Sequence, residues 1–210
     1  MKNQQTDGVS ATRIYTDYFK EHAEVLAAVE SACAEALDSL ARRCVTALLG
    51  GCKILFFGNG GSAADAQHLA AEFVGRFRRE RRGLPAIALT TDTSILTAIA
   101  NDYGYDDVFQ RQVEALCNEG DVVIGISTSG NSKNVCSALR KARELGAFTV
   151  AFTGAGGGAA AAIADATVCV ASKDTARVQE AHILCGHMLC DWVELSFCQD
   201  QPQESETLSR

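Results

Sequence analysis

The chain has 210 residues, of which 47% are hydrophobic and 21% are charged, with only two prolines, so its composition is that of a folded protein. The formal net charge of −7 argues against a general nucleic-acid-binding protein, which needs a basic surface. No apolar segment is long enough to span a membrane without a charge or a glycine-rich break, and the N-terminus lacks the apolar core of a signal peptide. We therefore expect one domain over residues 1–210, with neither nucleic acid nor a membrane as partner.

Nine cysteines raise the possibility of a disulfide scaffold, but their positions argue otherwise. Most lie inside apolar helical or strand patterns, and they form neither a CxxC pair nor a cluster with zinc-finger spacing. Buried free thiols in a reducing compartment explain this distribution better. The sequence therefore predicts a cytoplasmic protein.

The first element is a helical extension. From Thr12 to Leu49 apolar residues recur at helical spacing without glycine or proline, and Gly50-Gly51 follows. This pattern predicts one long helix, or two successive helices, over about 12–50.

Strands and helices alternate in the remaining core, 52–197. Short apolar runs indicate five strands, at 54–57, 85–89, 122–127, 149–153 and 167–170. Helical patterns lie at 63–74, 94–116 (mixed), 133–145 and 175–197, and a glycine- and alanine-rich run at 154–161 should open a short helix. The alternation predicts a three-layer α-β-α sandwich with a five-stranded parallel sheet, followed by a flexible polar tail at 199–210.

The turn after the first predicted strand is the most informative segment. Asn59-Gly60-Gly61-Ser62 follows the apolar run and leads directly into a helical pattern. Glycines permit a tight turn close to a ligand, and the free N–H groups of a new helix favour an anion. His68 and Glu72 lie four residues apart on that helix and so project from one face. This unit predicts an enzyme that acts on a phosphorylated small molecule.

A second phosphate-binding segment follows the third predicted strand. Ser127, Thr128, Ser129 and Ser132 place four hydroxyls around Gly130 at a helix N-terminus, which suits a phosphate monoester. Simple helix capping by Ser and Asn is the alternative, and four hydroxyls make it the less favoured one. Neither segment has P-loop or full GxGxxG spacing, so nucleotide binding is disfavoured.

Three further groups of polar residues are open to two interpretations. Gln179 and His187 lie in an otherwise apolar helix and need partners such as a metal or a sugar, whereas Glu180 and His182 also fit a helix surface. Asn101-Asp102 suits either sugar binding or a plain turn. The five arginines at 76–82 suit a solvated loop better than a phosphate- or partner-binding patch.

Together these motifs resemble the sugar isomerase (SIS) domain family and, within it, the phosphoheptose isomerases. The resemblance rests on Asn59–Ser62, the His68/Glu72 pair, Asn101-Asp102, the segment from Ser127 to Ser132, and Gln179–His182 with His187. It implies a flavodoxin-like fold and an isomerase that converts sedoheptulose 7-phosphate to D-glycero-D-manno-heptose 7-phosphate. This reaction belongs to bacterial heptose biosynthesis, for lipopolysaccharide, capsule or nucleotide-heptose. The alternatives are a non-catalytic SIS protein that binds a replication initiator, against which His187 argues, and an SIS enzyme for another sugar phosphate.

The same resemblance implies the roles of individual residues. Glu72 would be the catalytic base and His187 its acid/base partner, with one Zn²⁺ per active site. The implied zinc ligands are His68, Glu72, Gln179 and His187. The implied substrate contacts are Asn59, Gly60, Gly61, Ser62, Glu72, Asn101, Asp102, Ser127, Thr128, Ser129, Ser132 and Gln179. Ala176 stands where some members have an acidic residue, and Ala63 and Ala64 also differ from some members, which affects sugar contacts but no metal ligand.

The spacing of the last two implied ligands bears on assembly. Gln179 and His187 are eight residues apart, which on one helix separates them by ~12 Å along the axis and ~80° around it. A site that receives one of them from a neighbouring copy would remove this difficulty. Such shared sites agree with the homotetramer that the family resemblance implies.

Overall fold

The computed structural model describes residues 11–198; the predicted tail at 199–210 lies outside this range. The helices are α1 (Ala11–Leu49), α2 (Gly61–Val74), α3 (Thr93–Asp102), α4 (Gln110–Leu116), α5 (Lys133–Glu144), α6 (Gly158–Ile163) and α7 (Thr175–Cys198). The strands are β1 (Ile54–Gly58), β2 (Ala86–Ala88), β3 (Val122–Ser127), β4 (Phe148–Thr153) and β5 (Ala166–Cys169).

The five strands form one parallel sheet in the order β2-β1-β3-β4-β5. In register, Ile54 of β1 lies opposite Ala86 on one side and Val122 on the other. The connection after β1 leads to β2 on one side of the sheet, whereas the connection after β3 leads to β4 on the other side. This change of direction opens a crevice beyond the carboxyl ends of β1 and β3. This topology confirms the flavodoxin-like sheet and places both predicted phosphate loops at one edge.

Helices cover both faces of the sheet, because alternate strand residues point to opposite sides. Phe56 and Ile124 belong to a buried cluster with α1, α2 and α7. Leu55 and Phe57 belong to a second cluster with α4, α5 and α6. The three-layer architecture is confirmed.

The N-terminal extension is a single helix rather than two. Its buried residues begin only at Val29, so the first part of α1 contributes no buried side chain to the core. The mixed region at 94–116 divides into α3, a 3₁₀ turn at Tyr105–Asp107, and α4. Within residues 11–198, none of the helices combines the length and the apolar character that crossing a membrane requires.

Helices α2 and α7 run in the same direction, in close contact. A Cβ atom at Gly61 would meet the amide of Gln179, and one at Gly186 would lie 2.5 Å from Leu69 Cδ2. The contact pairs therefore follow each other in the same order along both helices. Glycine at these two positions allows the helices to approach closely, and this parallel pair forms the framework of the candidate site.

Candidate active site

The turn after β1 is held by a paired amide contact. Asn59 and Asn134 of α5 exchange two side-chain hydrogen bonds, both of 2.9 Å, and the Tyr105 hydroxyl donates to Asn59 Oδ1 at 3.3 Å. These contacts join the loops after β1 and β3 into one surface. Asn134 and Tyr105 were not predicted, because their role depends on long-range packing that motif spacing does not reveal.

The turn itself meets the requirements of an anion site. Gly60 has φ of 58°, in the region that favours glycine, and α2 begins at the next residue. The α2 N-terminus has no side-chain cap, and Ser62 is buried beneath the turn. A helix that starts in this way presents N–H groups and a positive dipole end to a ligand.

The serine-rich loop after β3 does not use its hydroxyls to cap α5. Ser132 is the residue before the helix, yet its side chain makes no capping bond, and its Oγ lies 3.0 Å from Ser127 Oγ. Ser127 is buried, Thr128 is half-buried and Ser129 is exposed. The capping interpretation is therefore wrong for Ser132.

Three of the residues expected at a metal lie together in one chain. His68 Nε2 is 2.9 Å from His187 Nε2 and 3.5 Å from Glu72 Oε1. One donor atom from each residue lies within 4.8 Å of the others, so the group could hold a metal ion. The i,i+4 pair on α2 and one residue of α7 form this cluster because the two helices are parallel neighbours.

The environment of His187 favours its neutral form. Burial lowers the pKa of this imidazole, and the charges of His68 and Arg78 act in the same direction against the opposing effect of Glu72. The Phe77 ring stacks on the imidazole, with centroids 5.4 Å apart and planes inclined by 27°. A neutral imidazole has a free nitrogen lone pair for a metal or a proton.

Gln179, the fourth expected ligand, lies at the other end of the helix pair. Its amide lies against Gly61, at the start of α2. Gly61 precedes His68 by seven residues, or ~10 Å along the axis. Within one chain, Gln179 therefore borders the turn at Asn59–Ser62, called here the glycine turn, while His187 lies with His68 and Glu72.

Asn101 and Asp102 form the end of α3, so the plain-turn interpretation is wrong, while sugar binding stays a prediction. Both are exposed, and Asn101 Nδ2 donates to Asp102 Oδ1 at 2.8 Å. The chain then passes through Gly104 to Tyr105, whose hydroxyl contacts Asn59. The pair therefore precedes a segment that reaches the glycine turn.

The basic run at 76–82 is a loop after α2, as expected, but it is only partly solvated: Arg76, Arg78 and Arg82 are exposed, whereas Arg79 and Arg81 are half-buried. Arg81 donates to the main-chain oxygens of Glu72, Phe73 and Gly75 at the end of α2. Arg78 and Arg79 pair with Asp191 of α7. These charges are neutralised within the chain and fasten the loop to α7.

Two titratable residues near the site were not assigned correctly from sequence. Burial raises the pKa of Asp65 to about 6, although the charge of His68 opposes this. Its Oδ2 is buried without a hydrogen-bond partner, one helical turn before His68, and that i,i+3 spacing was the available signal. His182 is buried, with Nε2 3.1 Å from the Thr153 carbonyl oxygen, so a place on the helix surface is wrong for it.

Comparison with known proteins gives a consistent result. A sequence model described as the SIS domain matches residues 17–154. The phosphoheptose isomerase of Aquifex aeolicus (strain VF5) is 60% identical over 181 residues, which cover 86% of this chain and 95% of that protein. The structure of phosphoheptose isomerase GmhA from Neisseria gonorrhoeae has 44% identity and a TM-score of 0.84, covering 89% of this chain and 100% of that one. The structure of a phosphoheptose isomerase from Francisella tularensis has 36% identity and a TM-score of 0.86, with the same coverage.

Proposed function

The chain belongs to the SIS domain family and, within it, to the phosphoheptose isomerases, and from this premise we propose that it converts sedoheptulose 7-phosphate to D-glycero-D-manno-heptose 7-phosphate. The observation that carries the proposal is the His68/Glu72/His187 cluster on the same helix pair as the glycine turn. The reaction would serve bacterial heptose biosynthesis, including heptose for lipopolysaccharide. Free thiols at all nine cysteines support a reducing, cytoplasmic setting.

The distance between the two ends of the site supports a long sugar phosphate. Gly61 and His68 are ~10 Å apart along α2. An extended chain advances ~1.2 Å per bond, so the eight bonds from C1 to the phosphorus of a heptose 7-phosphate span roughly 10 Å. Phosphate at the glycine turn and the serine loop would therefore place C1 and C2 near the cluster.

An aldose–ketose isomerisation moves a proton between C1 and C2 through an enediolate. Glu72 would remove the proton from carbon and return it to the neighbouring carbon. His187, kept neutral by its surroundings, would exchange a proton with the carbonyl and hydroxyl oxygens. Both residues are half-buried, so each keeps part of its surface accessible to a substrate.

The donor set fits Zn²⁺. Four donors ~2.0–2.1 Å from a tetrahedral zinc ion lie ~3.4 Å from one another, and the separations of 2.9 and 3.5 Å in the cluster are close to this. Zinc bound there would polarise the substrate carbonyl. His68, Glu72 and His187 would hold it, with Gln179 as the fourth ligand. Glu72 would then act as base through its second carboxylate oxygen, and His187 would exchange protons through the ring nitrogen that does not bind the metal.

An assay with chemically defined substrates tests the proposal. Purified protein with added Zn²⁺ should form heptose 7-phosphate from sedoheptulose 7-phosphate. Fructose 6-phosphate and ribulose 5-phosphate are matched controls that shorten the chain by one and two carbons. Faster turnover of either control would favour an SIS enzyme for another sugar phosphate. Absence of turnover with all three would favour a non-catalytic binding protein.

We further propose that the active protein is a homotetramer. The first part of α1 exposes Ile14, Tyr15, Tyr18 and Phe19, with Phe19 77% exposed. Helix α7 exposes a second apolar stripe at Leu184, Met188, Trp192 and Leu195. Apolar patches of this kind support contact with further copies of the same chain.

Shared sites in this tetramer would involve Gln179 rather than His187. His187 meets Glu72 within one chain, whereas Gln179 is far from His187 on the same helix. A second copy of α7 can bring its Gln179 to the cluster of the first.

Subunit mixing tests this arrangement. Glu72→Gln and Gln179→Ala proteins, mixed under conditions that allow exchange, should regain activity, because some sites receive both wild-type residues. The matched control is Glu72→Gln mixed with His187→Ala, in which every site keeps a lesion and activity stays lost. Recovery in the control with none in the first mixture would reverse the assignment. A monomer by light scattering would exclude the tetramer.

A further inference from the structure

We propose that Phe77, held in place by the buried carboxylate of Glu194, is a positioning residue that fixes the orientation of the His187 imidazole. The inference deepens the proposed function, since it rests on the role given there to His187. Neither Phe77 nor Glu194 belongs to the motifs that identify the site. Their arrangement is visible only in the folded chain.

Glu194 organises the loop that follows α2. Its side chain is 0% exposed and accepts hydrogen bonds from the backbone N–H groups of Phe77, Arg78 and Arg79 at 2.8–2.9 Å. Arg81 Nε lies 3.4 Å from the same carboxylate. Burial opposes ionisation of Glu194, but the three N–H donors and Arg81 outweigh it and hold the pKa below its usual range. A buried carboxylate with this many donors defines the local backbone path.

The first residue that Glu194 holds contacts the cluster directly. Phe77 stacks on one face of His187, and the Arg78 guanidinium lies 5.0 Å from the Phe77 ring centroid. His68 meets the imidazole edge-on, with centroids 5.1 Å apart and planes at 76°. Phe77 thus limits rotation of the His187 imidazole, and the Nε2 atom of His187 points towards His68.

The spacing on α7 explains why these contacts act together. Glu194 follows His187 by seven residues, which is close to two helical turns and returns to the same face. The loop therefore bridges two positions on one face of α7: its backbone binds Glu194 and its aromatic ring lies on His187. Hydrogen-bonding groups that orient a metal-binding histidine commonly change metal affinity 10–100-fold when they are removed, and we expect the stacked ring to act in the same range.

The test compares two aromatic-to-leucine substitutions. Phe77→Leu removes the stacked ring. Phe197→Leu is the control, because Phe197 also packs against an arginine of the same loop: the Arg82 guanidinium lies 5.5 Å from the Phe197 ring centroid. Phe77→Leu should weaken Zn²⁺ binding 10–100-fold in competition with a chromophoric chelator, and it should lower kcat more than it raises KM. Phe197→Leu should change neither, and Phe77→Tyr should restore both.

A readout without zinc or substrate separates this inference from the proposed function. In metal-free protein, the ring-proton resonances of His187, assigned with a His187→Gln variant, should move in Phe77→Leu because the shielding ring is lost. They should move in the same sense in Glu194→Gln if that variant folds. Unchanged resonances in Phe77→Leu, or zinc affinity equal to that of Phe197→Leu, would overturn the proposal. Failure of the wild type to bind zinc or to isomerise would instead contradict the proposed function and leave the resonance test intact.

Discussion

Two histidines five residues apart on α7 occupy opposite chemical settings. His182 is 1% exposed, and burial lowers its pKa to about 4, although its hydrogen bond to the Thr153 carbonyl opposes this. His187 is half-buried and faces His68 and Glu72. The residue type is the same, but one ring supports the fold and the other belongs to the candidate site.

The buried histidine predicts a specific dependence of stability on pH. Between pH 6.5 and about 4 the unfolded chain binds a proton at His182 that the native chain does not. The contribution of neutral His182 to the free energy of unfolding is therefore complete above pH 6.5 and declines as the pH falls. The expected loss from this residue between pH 7 and 5 is about 2 kcal/mol. Denaturant unfolding of wild type and His182→Gln at both values checks this: the pH-dependent loss should be smaller by that amount in the variant. Equal losses would contradict it.

Replacement of the proposed base, Glu72, should lower the rate of catalysis without preventing substrate binding. Glu72→Gln keeps the size of the side chain but removes the group that accepts the proton, so kcat should fall ~10²–10⁴-fold. Sedoheptulose 7-phosphate should still bind, since the loops proposed to bind its phosphate are unchanged. Steady-state kinetics with calorimetric binding measures both quantities. A variant with nearly full kcat would remove Glu72 from this role.

At the scale of elements, the contact between α2 and α7 depends on glycine. Gly186→Ala would place a methyl group against Leu69, and overpacking of this kind costs about 1–3 kcal/mol of unfolding free energy. Leu69→Ala alone should cost about 2–5 kcal/mol, because it leaves a cavity.

The double variant should be less destabilised than the sum of the two single changes, because the added methyl group occupies space that Leu69 vacates. Unfolding free energies of the four proteins complete the cycle. Simple additivity would show that the two positions do not interact.

The elements themselves were largely predictable from sequence. Apolar runs flanked by turns located all five strands, and Val122–Ser127 was found with its observed bounds. The 3₁₀ turn and the end of α3 were less accessible, because Asn101-Asp102 followed by Gly104 carries a turn signal while helical hydrogen bonds continue to Tyr103.

The site was predictable only in part. The spacing of four residues predicted that His68 and Glu72 lie on one face of a helix. The contact of His187 with this pair depends on the parallel packing of α2 and α7, which no local pattern encodes. The role of the basic run depended on Glu194, more than a hundred residues away in sequence. Local periodicity therefore identifies elements and some residues, whereas contacts between distant elements decide their partners.

At the scale of the whole molecule, the exposed apolar surfaces predict how assembly responds to charge. Phe19→Asp on α1 and Trp192→Asp on α7 each place a carboxylate on a surface proposed to contact another copy. Each should shift the protein from tetramer towards smaller species in light scattering, with helical content by circular dichroism unchanged. Lys20→Asp, a charge change on the same part of α1 outside the apolar set, is the control. A tetramer in both variants would place the interface elsewhere.

The parallel pair of helices also constrains how such a site can diverge in evolution. Loops tolerate insertions and deletions, but one residue inserted in α2 between Gly61 and His68 would rotate the following side chains by ~100° and advance them by ~1.5 Å. His68 and Glu72 would then turn away from α7. Lineages that adapt this framework to longer or shorter sugars are therefore expected to do so by substitutions along the helix faces. The number of residues between the glycine turn and the His68/Glu72/His187 cluster should stay unchanged.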